Sequence, residues 1–149
     1  MATNTSPKAS SAVNTLNRML QGELSAVATY NLAIKHLTQE FFPELIENRD
    51  CHLNRVPVLT RRITELGGTP ETAGGVWVGF TKLVERGASL LGTDSVIAAL
   101  EQGEDIGLKQ YRDNLDDLDG ESQRLVTTDL RPAQDRTHAR LRDLKLARK

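Results

Sequence analysis

The sequence predicts an all-α fold in which two helical hairpins assemble into a four-helix bundle. Three observations carry that expectation. Apolar residues recur at alternating steps of three and four in four segments, and no stretch alternates with the period of two that marks a strand. One plan occurs in both halves: Gly22-Glu23 with Tyr30 seven residues after the glutamate, and Gly103-Glu104 with Tyr111 seven after. Residues 67–93, between the halves, are too many for a plain loop and suit a crossover running the length of a bundle to join two parallel helices.

Residues 1–11 are rich in Ser, Thr and Ala and are expected to be a disordered tail, with the bundle occupying 12–149. The first helix is predicted over about 12–38, capped by Ser10 or Ser11, with Leu16, Leu20, Glu23, Val27, Tyr30 and Ile34 on its buried stripe. The second, over 42–66, opens near Pro43 and stops at Gly67-Gly68, with Leu45, Arg49, His52, Val56, Leu59 and Ile63 on its seam. Pro57 is expected to bend it. The crossover is apolar around Trp77, Phe80, Leu83, Leu90 and Leu91, which predicts a short extra helix within 74–92. A third long helix follows over 94–117 and a fourth over 120–146, the latter kinked at Pro132. One long connection between two hairpins is the ferritin-like connectivity.

Glu23 and Glu104 fall on apolar stripes, where a carboxylate stays only if it is paired or bound to a metal. In di-iron bundles of this connectivity, two helices each supply a Glu and the other two each supply a Glu-x-x-His. The matching positions here are Glu23, Arg49-x-x-His52, Glu104 and Asp135-x-x-His138. The candidate metal ligands are therefore Glu23, His52, Glu104, Asp135 and His138, with iron or another divalent metal as the cofactor. Arg49 breaks the pattern, because a guanidinium neither ligates a metal nor loses its proton. Two opposed buried carboxylates need a compensating cation, and Arg49 is expected to supply it in place of metal, in a core network with Tyr30 and Tyr111. Each residue also has a plainer reading: solvated glutamates, hydrogen-bonded core histidines, and tyrosines whose hydroxyls bond the neighbouring carboxylates.

The segments Leu16-Asn17-Arg18-Met19-Leu20-Gln21-Gly22-Glu23 through Tyr30, Glu47 to His52, and Leu66-Gly67-Gly68-Thr69-Pro70 resemble an uncharacterised bacterial ferritin-like family of four-helix-bundle domains of unknown function. So do Ala99-Leu100-Glu101-Gln102-Gly103-Glu104 through Tyr111, and Arg131-Pro132-Ala133-Gln134 through His138. The resemblance spans roughly 13–145 and implies the ferritin-like bundle and a bacterial source, but no reaction. The function expected is that of a stress or accessory protein with a Glu/His/Arg centre lacking a full di-iron site; the alternative is a non-haem di-iron oxidase or ferroxidase.

Composition narrows the partners. With 149 residues, 38% hydrophobic and 26% charged, the chain has the makeup of a globular domain. A net charge of −1 and 4% aromatic residues argue against nucleic acid as a partner. No stretch reads as a membrane span, and the single Cys51 permits no intrachain disulfide, so a cytoplasmic setting is expected. The apolar crossover around Trp77 and Phe80 must pack on its own bundle or on a second subunit, which makes a homodimer the favoured assembly.

Overall fold

Pro7 opens the first helix, at a position where its missing N–H and fixed φ cost nothing. The computed structural model describes residues 7–37, 40, 42–87 and 92–148, and among these no residue is in a strand. The elements are α1 (Pro7–His36), α2 (Pro43–Glu65), α3 (Val78–Glu85), α4 (Thr93–Asp113), a 3₁₀ turn (Leu115–Asp117), α5 (Gly120–Leu125), a π-helical turn (Val126–Leu130) and α6 (Arg131–Ala147). Ser10 and Ser11 thus lie inside α1 instead of capping it, and residues 7–11 of the expected tail are helical, while residues 1–6 lie outside those described. Leu90 and Leu91 are likewise outside them.

α2 begins at Pro43 and runs through Pro57, which is exposed. It ends in the double hydrogen bond that a glycine terminator provides: Gly67 N–H donates to Thr64 O at 3.0 Å and Gly68 N–H to Ile63 O at 2.9 Å. Gly67 has φ +83°, the left-handed conformation open to glycine without strain. From there the chain runs beside α1 in the same direction as that helix. Asn17 clasps both Thr69 O and Glu71 N–H, and Trp77 N–H donates to Thr29 Oγ1 at 2.9 Å. The strap then becomes α3, whose Phe80 is fully buried within its own chain.

α1 and α2 form one hairpin, α4 and α5–α6 the other. The hairpins pack through α1 against α4 and α2 against α6, with two apolar clusters between them. Leu16, Met19, Leu20, Leu59, Ile63, Leu118 and Val126 belong to one cluster; Ala33, Leu45, Phe80, Ile97, Leu100 and Leu141 belong to the other. A charged layer lies at the same level of the helices as the junction of these clusters, and it contains Glu23, His52 and Glu104.

Pro132 follows the π-helical turn directly. Arg131 N–H reaches back to Val126 O, and Pro132, lacking an N–H, needs no partner there. Ser122, Val126, Leu130 and Gln134 all face inward at successive steps of four. Three such steps overshoot three full turns of an α-helix by roughly 120°, at about 100° per residue. A wider turn absorbs that drift and keeps Gln134 in line with the core.

Candidate functional site

His52 stands between the two glutamates. Its Nδ1 lies 2.6 Å from Glu23 Oε2 and its Nε2 2.6 Å from Glu104 Oε1, with all three side chains buried. A carboxylate at each ring nitrogen calls for two N–H donors, which only the imidazolium has. Burial disfavours that charge, but Glu23 and then Glu104 outweigh it and raise His52 from 6.5 to about 9. The same balance acts on the acids. Burial would raise Glu23, yet His52, Arg55 and the Tyr111 hydroxyl hold it below the ordinary value. His52, Tyr30 and Thr137 do the same for Glu104 against its burial.

Arg55, one turn beyond His52 on α2, is the second cation. It is 3% exposed. Its Nη1 donates to Glu23 Oε1 at 3.2 Å and to Gln134 Oε1, and its Nη2 donates to Ala133 O, Thr137 Oγ1 and Cys51 Sγ. Glu104 is finished from α6: Gln134 Nε2 and Thr137 Oγ1 each donate to its Oε2 at 2.8 Å. The tyrosines close the remaining positions. Tyr111 OH donates to Glu23 Oε1 at 2.6 Å and Tyr30 OH to Glu104 Oε1 at 2.7 Å. Asn48 donates to the Tyr30 oxygen and to Thr137 O, while its own carbonyl accepts from Arg140. Two carboxylates thus meet two cations in one buried layer, and every carboxylate oxygen has a protein donor.

Of the residues expected at this centre, Glu23, His52, Glu104, Tyr30 and Tyr111 are brought together. Three others are elsewhere. Arg49 is at the half-exposed edge of α2, against Asp50 and Asn31, so it is not the cation between the glutamates. Asp135 is exposed, and His138 pairs with Asp105 on α4. Their inward neighbours are Gln134 and Thr137, because one residue along a helix turns a side chain through roughly 100°. Asn48, Arg55, Gln134 and Thr137 are the centre residues that the sequence reading missed.

Gly103 and Gly107 let other groups lie close to α4. A Cβ at 103 would sit 2.0 Å from the Trp77 ring, and one at 107 would sit 2.8 Å from Gln134 Nε2. Trp77 therefore packs on bare helix backbone and meets Tyr30 and His52 edge-on.

These features define an all-helical domain built round a buried, charge-balanced layer. The chain belongs to a family of domains of unknown function, DUF2383, whose model matches residues 11–117. That span carries Glu23, His52, Arg55 and Glu104 and stops short of Gln134 and Thr137. Comparisons with curated proteins and with solved structures give no match. Among the described residues, no helix is long and apolar enough to cross a membrane.

Proposed function

We propose that the protein is a ferritin-like four-helix bundle whose centre is held by its own cations, protonated His52 and Arg55, and that it serves as an accessory protein without a di-metal oxidase reaction. One observation carries this reading: both ring nitrogens of His52 are engaged by the two carboxylates that would otherwise face a metal. The donor set agrees. A di-iron bundle draws on about four carboxylates and two histidines, whereas the centre here has two carboxylates and one histidine, and α6 supplies an amide and a hydroxyl in place of a carboxylate and a second histidine. Among the described residues, no three His, Cys, Asp or Glu side chains form a group that could hold a metal ion. Arg55 beside Glu23 adds a permanent positive charge where a metal cation would have to enter. The residues therefore do not fit a di-metal cluster. The ferritin-like connectivity rests on the two hairpins and on a strap that joins parallel α2 and α4. A cytoplasmic bacterial setting accords with the single cysteine and belongs to the same proposal.

Metal analysis of protein purified without chelator, followed by optical spectra after aerobic addition of ferrous iron, tests this reading. The expected result is no stoichiometric metal and no oxo-bridge absorption. Nitrogen-15 NMR should show both His52 nitrogens protonated at neutral pH. Two irons per chain with an oxo-bridge band would overturn the proposal.

A further inference from the structure

A cleft of about 520 Å³ opens between α1 and α4 and reaches down to the charged layer, with Glu23 and His52 at its floor. Its volume is within the range of small-molecule sites, about 300–1,000 Å³. Trp77 and Gly103 form one wall, and Ile106 stands at the mouth, 64% exposed although it is a large apolar side chain. Of the two carboxylates of the charged layer, Glu23 faces this space; Glu104 is completely buried and does not line it. Glu23 Oε2 accepts from His52 Nδ1, and a carboxylate oxygen with two lone pairs has room for one more donor.

Charge decides what can enter. At the floor, Glu23 and Glu104 are matched by His52 and Arg55. At the rim, Asp113 pairs with Arg112 and Lys109 is exposed, so the rim charges stay in water. A charged guest would shed its water at the floor without finding an unmatched counter-charge there, whereas a neutral guest avoids the cost of burying a charge. Resting on the charge balance proposed above, we propose that this cleft binds a small uncharged molecule with an apolar body and one hydroxyl or amide N–H. The donor group reaches Glu23, and the apolar body lies between Trp77 and Ile106.

Trp77 is the single tryptophan of the chain, so its emission reports on the cleft directly. Three probes with one ring and different charge separate the outcomes: cyclohexanol, cyclohexylamine and cyclohexanecarboxylate, none of which absorbs where tryptophan does. Cyclohexanol should shift the emission saturably with a millimolar midpoint, and the two ions should bind at least about tenfold more weakly because their charge is desolvated without compensation. Gln110→Phe, at the rim beside Gly22, should abolish the cyclohexanol response by filling the space. Amide shifts in the unsubstituted protein give a second measurement that needs no variant, and cyclohexanol should move Gly22, Gly103 and Gly107. Equal or tighter binding of either ion, no saturable response to cyclohexanol, or shifts confined to another surface would overturn the cleft proposal. The imidazolium signals of His52 report on the centre separately, so failure of the cleft alone leaves them unchanged.

Discussion

The Tyr30 hydroxyl bonds Glu104 at 2.7 Å, on the opposite hairpin, and not Glu23 on its own helix. Seven residues along a helix are roughly 10 Å of rise, beyond the reach of a direct contact. The antiparallel neighbour brings the partner instead. Moving back seven residues from Tyr30 to Glu23 on α1 means moving forward seven from Glu104 to Tyr111 on α4, and the second pair closes at 2.6 Å. The repeated Gly-Glu-x₆-Tyr plan is thus a spacing that lets each hairpin supply the hydroxyl for the other's carboxylate. Tyr30→Phe and Tyr111→Phe should each lower stability by about 2 kcal/mol, the scale of a hydrogen bond to a charged group. Urea denaturation measures it, and a loss under about 0.5 kcal/mol would mean the hydroxyls contribute little.

Arg55 and Arg49 make a matched pair for mutation. Arg55→Met leaves Glu23 short of a cation and strands the Gln134 carbonyl, and it should cost about 3–5 kcal/mol. Arg49→Met removes only contacts at the helix edge and should stay within about 0.5 kcal/mol. Equal losses in the two variants would contradict the assignment of Arg55 as the inward cation.

Stability should fall on both sides of a window near pH 5–6.5. His52 is raised in the folded state to about 9 from 6.5, so its contribution is whole below 6.5 and drains away as pH climbs through 9. The shift corresponds to about 3 kcal/mol. Glu23 and Glu104 are held below their ordinary value of 4.5, so their contribution is present above it and is lost as acid drives the pH down through their folded-state values. Thermal melts across pH 3–10 check both limbs; a curve flat from pH 6.5 to 9 would mean His52 is neutral in the fold.

Gly103→Ala tests the seat of Trp77. The added methyl would meet the ring at 2.0 Å, so the indole must move off α4. Loss of about 1–3 kcal/mol and a red-shifted emission are expected, the usual result of forcing a group into packed space. Unchanged emission would place the ring elsewhere in solution.

Heptad spacing made most of the helices and the glutamate positions legible. It was less able to choose between adjacent registers. On α2, the series 45, 49, 52, 56, 59 and the series 45, 48, 52, 55, 59 have the same three–four rhythm and share Leu45, His52 and Leu59. Apolar Val56 favoured the first, while the fold buries Asn48 and Arg55 and leaves Arg49 and Val56 half-buried. Nothing local distinguishes them, since Arg55 is buried only because Glu23 and α6 surround it. On α6, Asp135 and His138 had the side chains of metal ligands but stood at the edge of the stripe, and Gln134 and Thr137 held its centre. The π-helical turn was also out of reach of a reading based on ideal helical steps, although three consecutive spacings of four are its trace.

The charged layer also determines which hairpin can pair with which. The α1–α2 hairpin brings Glu23, His52 and Arg55 to it, a surplus of one positive charge, and the other hairpin brings Glu104, one negative charge. Two copies of the first hairpin would bury two unmatched cations together, and two copies of the second would bury a pair of bare carboxylates. Either mismatch carries like charges into a dry interior, where repulsion is strong. Swapped dimers that pair like hairpins are therefore disfavoured electrostatically, and the layer works as a lock that accepts only the unlike half.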